Sequence, residues 1–306
     1  MRWNVMVGLL LAVVIGMAGC GGGSGSGGDV STSYKGSTIQ ATVTASNAKA
    51  VSVDAVQGAQ NASAVGVLGK SATDIPETSP QMLSIVKILE NSVILISPKS
   101  SVAKTVAETV QQTIYGYSGS FSFTINGNNS TGSFSGSLTF NNYQDYSGSP
   151  RISGNASFSG VANTSTSEIT SINMSLNNLQ GVLGGAQSFT LNGSIATSSA
   201  GNTKTLNISI VNLDNTNNKT YWVKDFNLAL TGNRMTISGT YYDHVHGYVV
   251  VSTITPLTVS TYSGEPTSGQ LLFTGRNGTK ARLTYTYSGY TLEVDASGNN
   301  IYVVIP

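Results

Sequence analysis

From Tyr115 to the end of the chain, apolar and polar residues alternate with a period of two. In the first run, Phe121, Phe123 and Ile125 are separated by Ser and Thr. Such alternation places the apolar side chains on one face of a strand and the polar side chains on the other. The pattern therefore predicts a mainly β domain in which many strands turn one face toward a common core.

Turn signals separate the alternating runs. Examples are Asn126-Gly127-Asn128-Asn129, Tyr146-Ser147-Gly148-Ser149 and the stretch from Gly181 to Gly185. They favour hairpins between consecutive strands, and the whole pattern predicts about twelve or thirteen strands. Because that number exceeds what one twisted open sheet usually tolerates, the sheet must curl, split or be covered. We expect a large curved antiparallel meander in the form of an open sheet, half-barrel or sandwich.

A recurring tripeptide motif and a series of later predicted strands support the antiparallel meander. Phe-Ser-Gly at 134–136 and 158–160, Asn-Gly-Ser at 192–194 and Ile-Ser-Gly at 237–239 look like degenerate repeats of one strand unit. The later predicted strands are Leu206 to Val211, Thr220 to Leu230, Met235 to Tyr241, Tyr248 to Thr253, Gly269 to Thr274, Lys280 to Thr286, Tyr290 to Val294 and Ile301 to Val304.

One or two amphipathic helices should precede the sheet and pack on it. Ser79-Pro80 is a typical helix start, and apolar residues recur at helical spacing from Met82 to Ile96 before Pro98. A second stretch with the same spacing runs from Val102 to Ile114. We thus predict a helical segment at 75–114 and a β domain at 115–306, after a segment at 29–74 for which the sequence indicates little structure.

The first nineteen residues have the features of a secretory signal. Arg2 precedes an apolar run from Val5 to Ile15 that is too short to span a membrane, and Gly/Ser-rich residues follow at 21–28. Met17-Ala18-Gly19-Cys20 resembles the lipobox of bacterial lipoproteins. That resemblance implies a signal peptide at 1–19, lipid attachment at Cys20 and a flexible tether at 20–28. Because Gly21 and not Asp follows the cysteine, it also implies outer-membrane localisation.

An ordinary signal peptide followed by a free cysteine is the alternative. It is disfavoured because Cys20 has the expected position and flanking residues, and because the chain has no second cysteine with which it could pair. Two or three acyl chains would make membrane attachment effectively permanent. The membrane is therefore the first predicted partner.

The composition excludes several classes of function. Only 9% of residues are charged and the net charge is +1, so binding of nucleic acid or of anionic lipid by overall electrostatics is disfavoured. The hydrophobic fraction of 39% and the low net charge argue against disorder. Two histidines and one cysteine leave few groups for catalysis. We expect no enzymatic activity and no cofactor.

Two short clusters could bind a metal ion. His244 and His246 would share one face of a strand, with Asp243 or Glu265 as a third ligand, but a polar bend between Tyr242 and Gly247 is favoured. The segment 295–300 alternates oxygen-bearing side chains in the manner of a calcium loop. It lacks a bidentate glutamate, so a hairpin turn is the favoured interpretation.

Six tyrosines near the C-terminus could form an exposed platform for glycans. The alternative, which we favour, is that they pack across the sheet. They are Tyr241, Tyr242, Tyr248, Tyr285, Tyr287 and Tyr290.

Several stretches between Ile237 and Leu283, including Gly247-Tyr-Val-Val-Val-Ser-Thr253 and Pro266-Thr-Ser-Gly269, resemble the C-terminal part of a group of uncharacterised bacterial surface lipoproteins. The resemblance implies no activity. We expect an outer-membrane-anchored, non-catalytic module that contacts an envelope protein or glycan. The alternative is a carrier of lipid or another apolar ligand under a helical lid, by analogy of architecture with periplasmic lipid carriers.

Overall fold

The computed structural model describes residues 30–63, 107–128, 130–144, 147, 151–165, 169–183, 187–260 and 266–306. These residues form one α-helix, α1 (Ala48–Ser63), followed by one antiparallel sheet of 14 strands whose order in the sheet is their order in the chain. The sheet is open, and the predicted mainly β antiparallel meander is confirmed. The strands are β1 (Ala107–Tyr115), β2 (Ser118–Asn128), β3 (Ser133–Gln144), β4 (Arg151–Ala162), β5 (Ile169–Leu183), β6 (Gln187–Ala200), β7 (Thr203–Asp214), β8 (Lys219–Thr231), β9 (Arg234–Asp243), β10 (Gly247–Val259), β11 (Pro266–Thr274), β12 (Lys280–Thr286), β13 (Gly289–Asp295) and β14 (Val303–Ile305).

The predicted helix from Val102 to Ile114 is wrong over its described part, because residues 107–115 form β1. In this strand Val110 pairs with Ile125 and Ile114 pairs with Phe121. Apolar residues four positions apart share a helix face, but they also share a strand face. Valine, isoleucine and threonine favour the strand. The predicted helix from Met82 to Ile96 lies outside the described residues.

Helix α1 lies in the segment for which the sequence indicated little structure. Its start resembles a capping box: Asn47 Oδ1 accepts a hydrogen bond from the Thr44 amide at 2.8 Å, and the Ala48 amide donates to Thr44 O at 3.0 Å. The buried face is made of small residues, including Val51 and Ala55. This face packs on β7–β9 and on β12–β13.

The apolar side of the sheet, which we call the core face, forms one continuous cluster of buried side chains from β2 to β13. Two cross-strand pairs join phenylalanine to glycine: Phe134 pairs with Gly160, and Gly136 pairs with Phe158. Each ring covers its partner glycine, where a Cβ atom would overlap the ring. The repeated Phe-Ser-Gly motif therefore places each phenylalanine ring over a glycine of the neighbouring strand, where no side chain competes for the space.

A row of β-bulges crosses the sheet from β2 to β9. At each bulge the pairing register shifts or the backbone has a positive φ, which bends the strand locally. At one of them the Asp225 amide donates to Ser209 Oγ at 2.9 Å, and the Ser209 hydroxyl donates to Asp225 Oδ1 at 3.0 Å. The bulge row comprises Gly119, Asn142, Gly154, Asn178, Gly193, Asp225 and Gly239.

Candidate interaction surface

The opposite side of the sheet, which we call the outer face, carries rows of hydroxyl and amide side chains. In one row the residues of successive strands pair directly, about 4.8 Å apart. This row consists of Thr124, Ser137, Ser157, Ser175, Ser194 and Ser209. Towards β1, the side chains interact across the strands, as when Gln111 Nε2 donates to Thr124 Oγ1 at 3.1 Å.

Charge is nearly absent from this part of the outer face. Within strands β2–β6, Arg151 is the one charged residue. Neutral hydroxyl and amide groups cost less to remove from water than charged groups do, provided that new hydrogen bonds replace the lost ones. The outer face of β2–β6 can therefore form a close contact with an uncharged polar partner.

The outer face of β7–β10 has a different composition. Val211, Trp222, Tyr242 and Tyr248 are successive cross-strand partners, and the last three form an aromatic row. The ring centroids of Trp222 and Tyr242 are 4.7 Å apart in a stacked arrangement, and those of Tyr242 and Tyr248 are 5.1 Å apart. Lys224 Nζ lies 5.1 Å from the centre of the Trp222 ring, within the range of a cation–π contact.

Residues 30–43, which we call the strap, cross this aromatic row. Tyr34 is buried with its ring 5.9 Å from that of Trp222 and 5.5 Å from that of Tyr242. Its hydroxyl donates to Asp243 O at 2.8 Å, and burial together with the nearby Asp243 carboxylate raises the pKa of Tyr34. Beyond Tyr34, Gln40 forms a parallel bridge with Tyr248. The strap thus leads from the outer face to α1 on the core face.

The six tyrosines do not form one platform. Tyr241 is buried in the core cluster, whereas Tyr242 lies on the outer face among the rings described above. Tyr285 and Tyr290 pair across β12 and β13 with their rings 6.4 Å apart, and Tyr287 is exposed at the hairpin between these strands. The favoured interpretation, cross-strand packing, is confirmed for Tyr242, Tyr248, Tyr285 and Tyr290.

His244 and His246 lie in the turn between β9 and β10, so the predicted polar bend is confirmed. The Thr220 amide donates to His244 Nδ1 at 3.1 Å, and Asp243 Oδ1 accepts from the amides of Val245 and His246. Over the described ranges, which leave out Glu265, no group of three His, Cys, Asp or Glu residues could hold a metal ion.

The segment 295–300 is part of the hairpin turn between β13 and β14, as favoured from the sequence. Asp295 Oδ1 accepts hydrogen bonds from the amides of Ser297 and Gly298, and Oδ2 accepts one from the Asn300 amide at 2.7 Å. Burial acts to raise the pKa of Asp295, but these hydrogen bonds outweigh it and lower that pKa below its ordinary value. The Asp295 carboxylate therefore stabilises the turn by binding its backbone amides.

The strap and its aromatic row were missed from the sequence. Tyr34 lies about two hundred residues from Trp222 and Tyr242, and isolated aromatic residues carry no periodic signal. Only the high aromatic content of β8–β10 could have suggested a docking position for another segment.

Comparison with known proteins gave no match: no family model, no curated protein and no solved structure is significantly similar to the chain. Among the described residues, no helix has both the length and the hydropathy needed to cross a membrane. Over its described residues, the chain is an open antiparallel sheet with helix α1 on its apolar side and, on the other side, a polar face that is nearly uncharged over β2–β6.

Proposed function

We propose that this protein is a non-catalytic module of the bacterial envelope, anchored in the outer membrane through lipid on Cys20, that works by contact with an envelope protein or glycan. The observation that carries the proposal is the outer face of β2–β6, where rows of hydroxyl and amide groups carry almost no charge. A surface of this composition favours a polar, uncharged partner.

Two features favour contact over the transport of an apolar ligand. The core-face side chains of β2–β13 pack with one another in a continuous cluster. Residues of α1, including Val51, Ala55 and Val56, belong to the same cluster. Side chains of the chain itself thus occupy this face, which favours the outer face as the surface that meets a partner.

We expect replacement of Cys20 by serine to abolish both lipid attachment and membrane retention. The thiol is the nucleophile that carries the lipid, and a hydroxyl does not replace it in a lipobox. Cells expressing either form are fed labelled palmitate and then fractionated. The wild-type chain should carry label in the membrane fraction, and the Cys20→Ser chain should lack it. Equal label and equal membrane retention for both forms would refute the anchor.

The contact surface is tested by placing a photo-crosslinking amino acid at Ser137 or Ser157 in living cells. Both side chains are exposed on the outer face. Irradiation should yield a discrete higher-mass adduct with an envelope protein or with cell-wall glycan. The matched control is Tyr287, which is 94% exposed at the hairpin between β12 and β13, and it should give no such adduct. Adducts at all three positions, or at none, would contradict the assignment of the outer face.

A further inference from the structure

The strap contacts the turns at one end of the sheet, and we call this end of the strands the strap end. This end contains the turns at 116–117, 215–218, 244–246, 275–279 and 296–302. Four backbone hydrogen bonds hold the strap there. The Ser37 amide donates to His244 O and the Ala41 amide to Tyr248 O, while the Tyr248 amide donates to Ile39 O and the Arg276 amide to Ala41 O. The chain that arrives from the tether is thereby fixed close to these turns.

Large apolar side chains are exposed at the strap end. Tyrosine side chains favour the boundary between water and lipid, where the ring meets apolar groups and the hydroxyl meets water. The exposed residues are Ile39 (65%), Tyr115 (81%), Tyr117 (67%), Val245 (60%) and Ile301 (66%). They lie in the strap and in or beside the β1–β2, β9–β10 and β13–β14 turns, so apolar side chains are exposed at three places along the described part of this end.

The chain has little net charge, but among the described residues the exposed charges at the strap end are mainly positive. Lys35, Lys219 and Arg276 are exposed, and Arg151 begins β4 at the same end. A membrane surface that contains anionic lipids attracts such residues, at about 1 kcal/mol for each.

The acidic residues described at this end accept hydrogen bonds from backbone amides, which stabilise their charged form, and their charges offset part of the positive charge. Asp243 and Asp295 are buried and accept hydrogen bonds from backbone amides. Asp214 is partly buried and accepts hydrogen bonds from the amides of Thr216 and Asn217.

The reach of the tether favours the same end. Val30 packs near Val211, which is about 10 Å from the end of β7 at the strap end and about 26 Å from its beginning. A Gly-rich coil of about ten residues spans roughly 17 Å on average, and about 34 Å when fully extended. The strap end thus lies within the average reach of a lipid on Cys20, whereas the opposite end lies beyond it, at about three quarters of the fully extended length.

We infer that the strap end lies on the lipid surface, with Ile39, Val245 and the exposed lysines at the level of the headgroups. This inference rests on the proposed anchor at Cys20. The strands then stand on the membrane, and the hydroxyl and amide rows of β2–β6 remain accessible from the side.

The orientation is tested with the chain from residue 20 onward, in which Ser replaces Cys20 and an N-terminal hexahistidine binds nickel-chelating lipid. The vesicles contain phosphatidylethanolamine, one third phosphatidylglycerol and a headgroup-linked quencher. A fluorophore is attached to a single cysteine introduced as Val245→Cys or as Tyr287→Cys, both at exposed positions at opposite ends. The label at position 245 should be quenched several-fold more strongly. Equal quenching, or stronger quenching at 287, would overturn the inference.

Charge variants supply a second measurement on the same vesicles without the nickel lipid. Replacing Lys35, Lys219 and Arg276 by glutamine should weaken binding about 100-fold, at about fivefold for each cation. The control replaces Lys204 and Arg234, which are exposed at the opposite end, and should leave binding unchanged. Equal losses would contradict the orientation. Because the tag replaces the lipid, failure of lipid attachment at Cys20 would appear only in the palmitate experiment and would leave these results interpretable.

Discussion

Replacing Gly193 by alanine is expected to lower the free energy of unfolding by about 3 kcal/mol or more. Gly193 has a φ of 143°, a conformation that residues with a side chain rarely adopt. A Cβ atom at this position would overlap the carbonyl oxygen of Ser209 on β7. Because the overlap is with backbone, relief requires β6 and β7 to move apart. Urea denaturation followed by circular dichroism measures the loss.

Gly127 provides the matched control. It also lies in a strand, but an added Cβ atom would meet no atom within 4 Å, and its backbone conformation is an ordinary one. Gly127→Ala should change the free energy of unfolding by less than about 1 kcal/mol. If both substitutions have the same effect, the bulge row is not the constraint on the sheet that its geometry indicates.

Replacing Tyr34 by alanine is expected to cost about 3–5 kcal/mol and to release the strap from the outer face. The substitution removes the ring that contacts Trp222 and Tyr242, together with the hydrogen bond to Asp243 O. Tyr34→Phe keeps the ring and should cost only about 1–2 kcal/mol. Thermal unfolding of the two variants separates packing from hydrogen bonding.

Tryptophan fluorescence tests release of the strap directly. Beyond the predicted signal peptide the chain has a single tryptophan, Trp222, which is 7% exposed beside Tyr34. Tyr34→Ala should shift its emission to the red because the indole gains contact with water. Tyr117→Ala, at a side chain that is 67% exposed, is the control and should leave both stability and emission unchanged. An unchanged spectrum for Tyr34→Ala would show that the strap does not cover Trp222.

The strands were predictable because their apolar side chains repeat every two residues and enter one core. The same rule explains the error at β1, where spacing by four fits either a strand or a helix. The sequence predicts a turn that begins at Gly181, but Gly181 lies within β5 opposite Phe189. The Phe189 ring covers the glycine, which has no side chain to displace it. A glycine in the sequence fits either a turn or a strand position that lies under a neighbouring ring, so it does not by itself distinguish them.

Helix α1 and the strap could not be predicted from sequence periodicity, for two physical reasons. The buried face of α1 consists of small residues such as Ala48, Val51 and Ala55, which give only a weak helical pattern. The strap is positioned by contacts with strands that are distant in sequence, among them the hydrogen bond from Lys35 N to Thr220 Oγ1. For the interaction surface, composition predicted the polar and uncharged character, whereas the alignment of hydroxyl rows depends on strand register.

The central claim is that the protein acts through its outer surface and does not enclose an apolar ligand. Native mass spectrometry of the chain from residue 20 onward, with Cys20→Ser, purified from bacterial cells without detergent, tests this claim most directly. The account predicts the mass of the polypeptide alone, because its own side chains occupy the core face. A stoichiometric acyl-chain lipid that co-purifies with the protein and is lost on unfolding would contradict the account and identify the protein as a carrier.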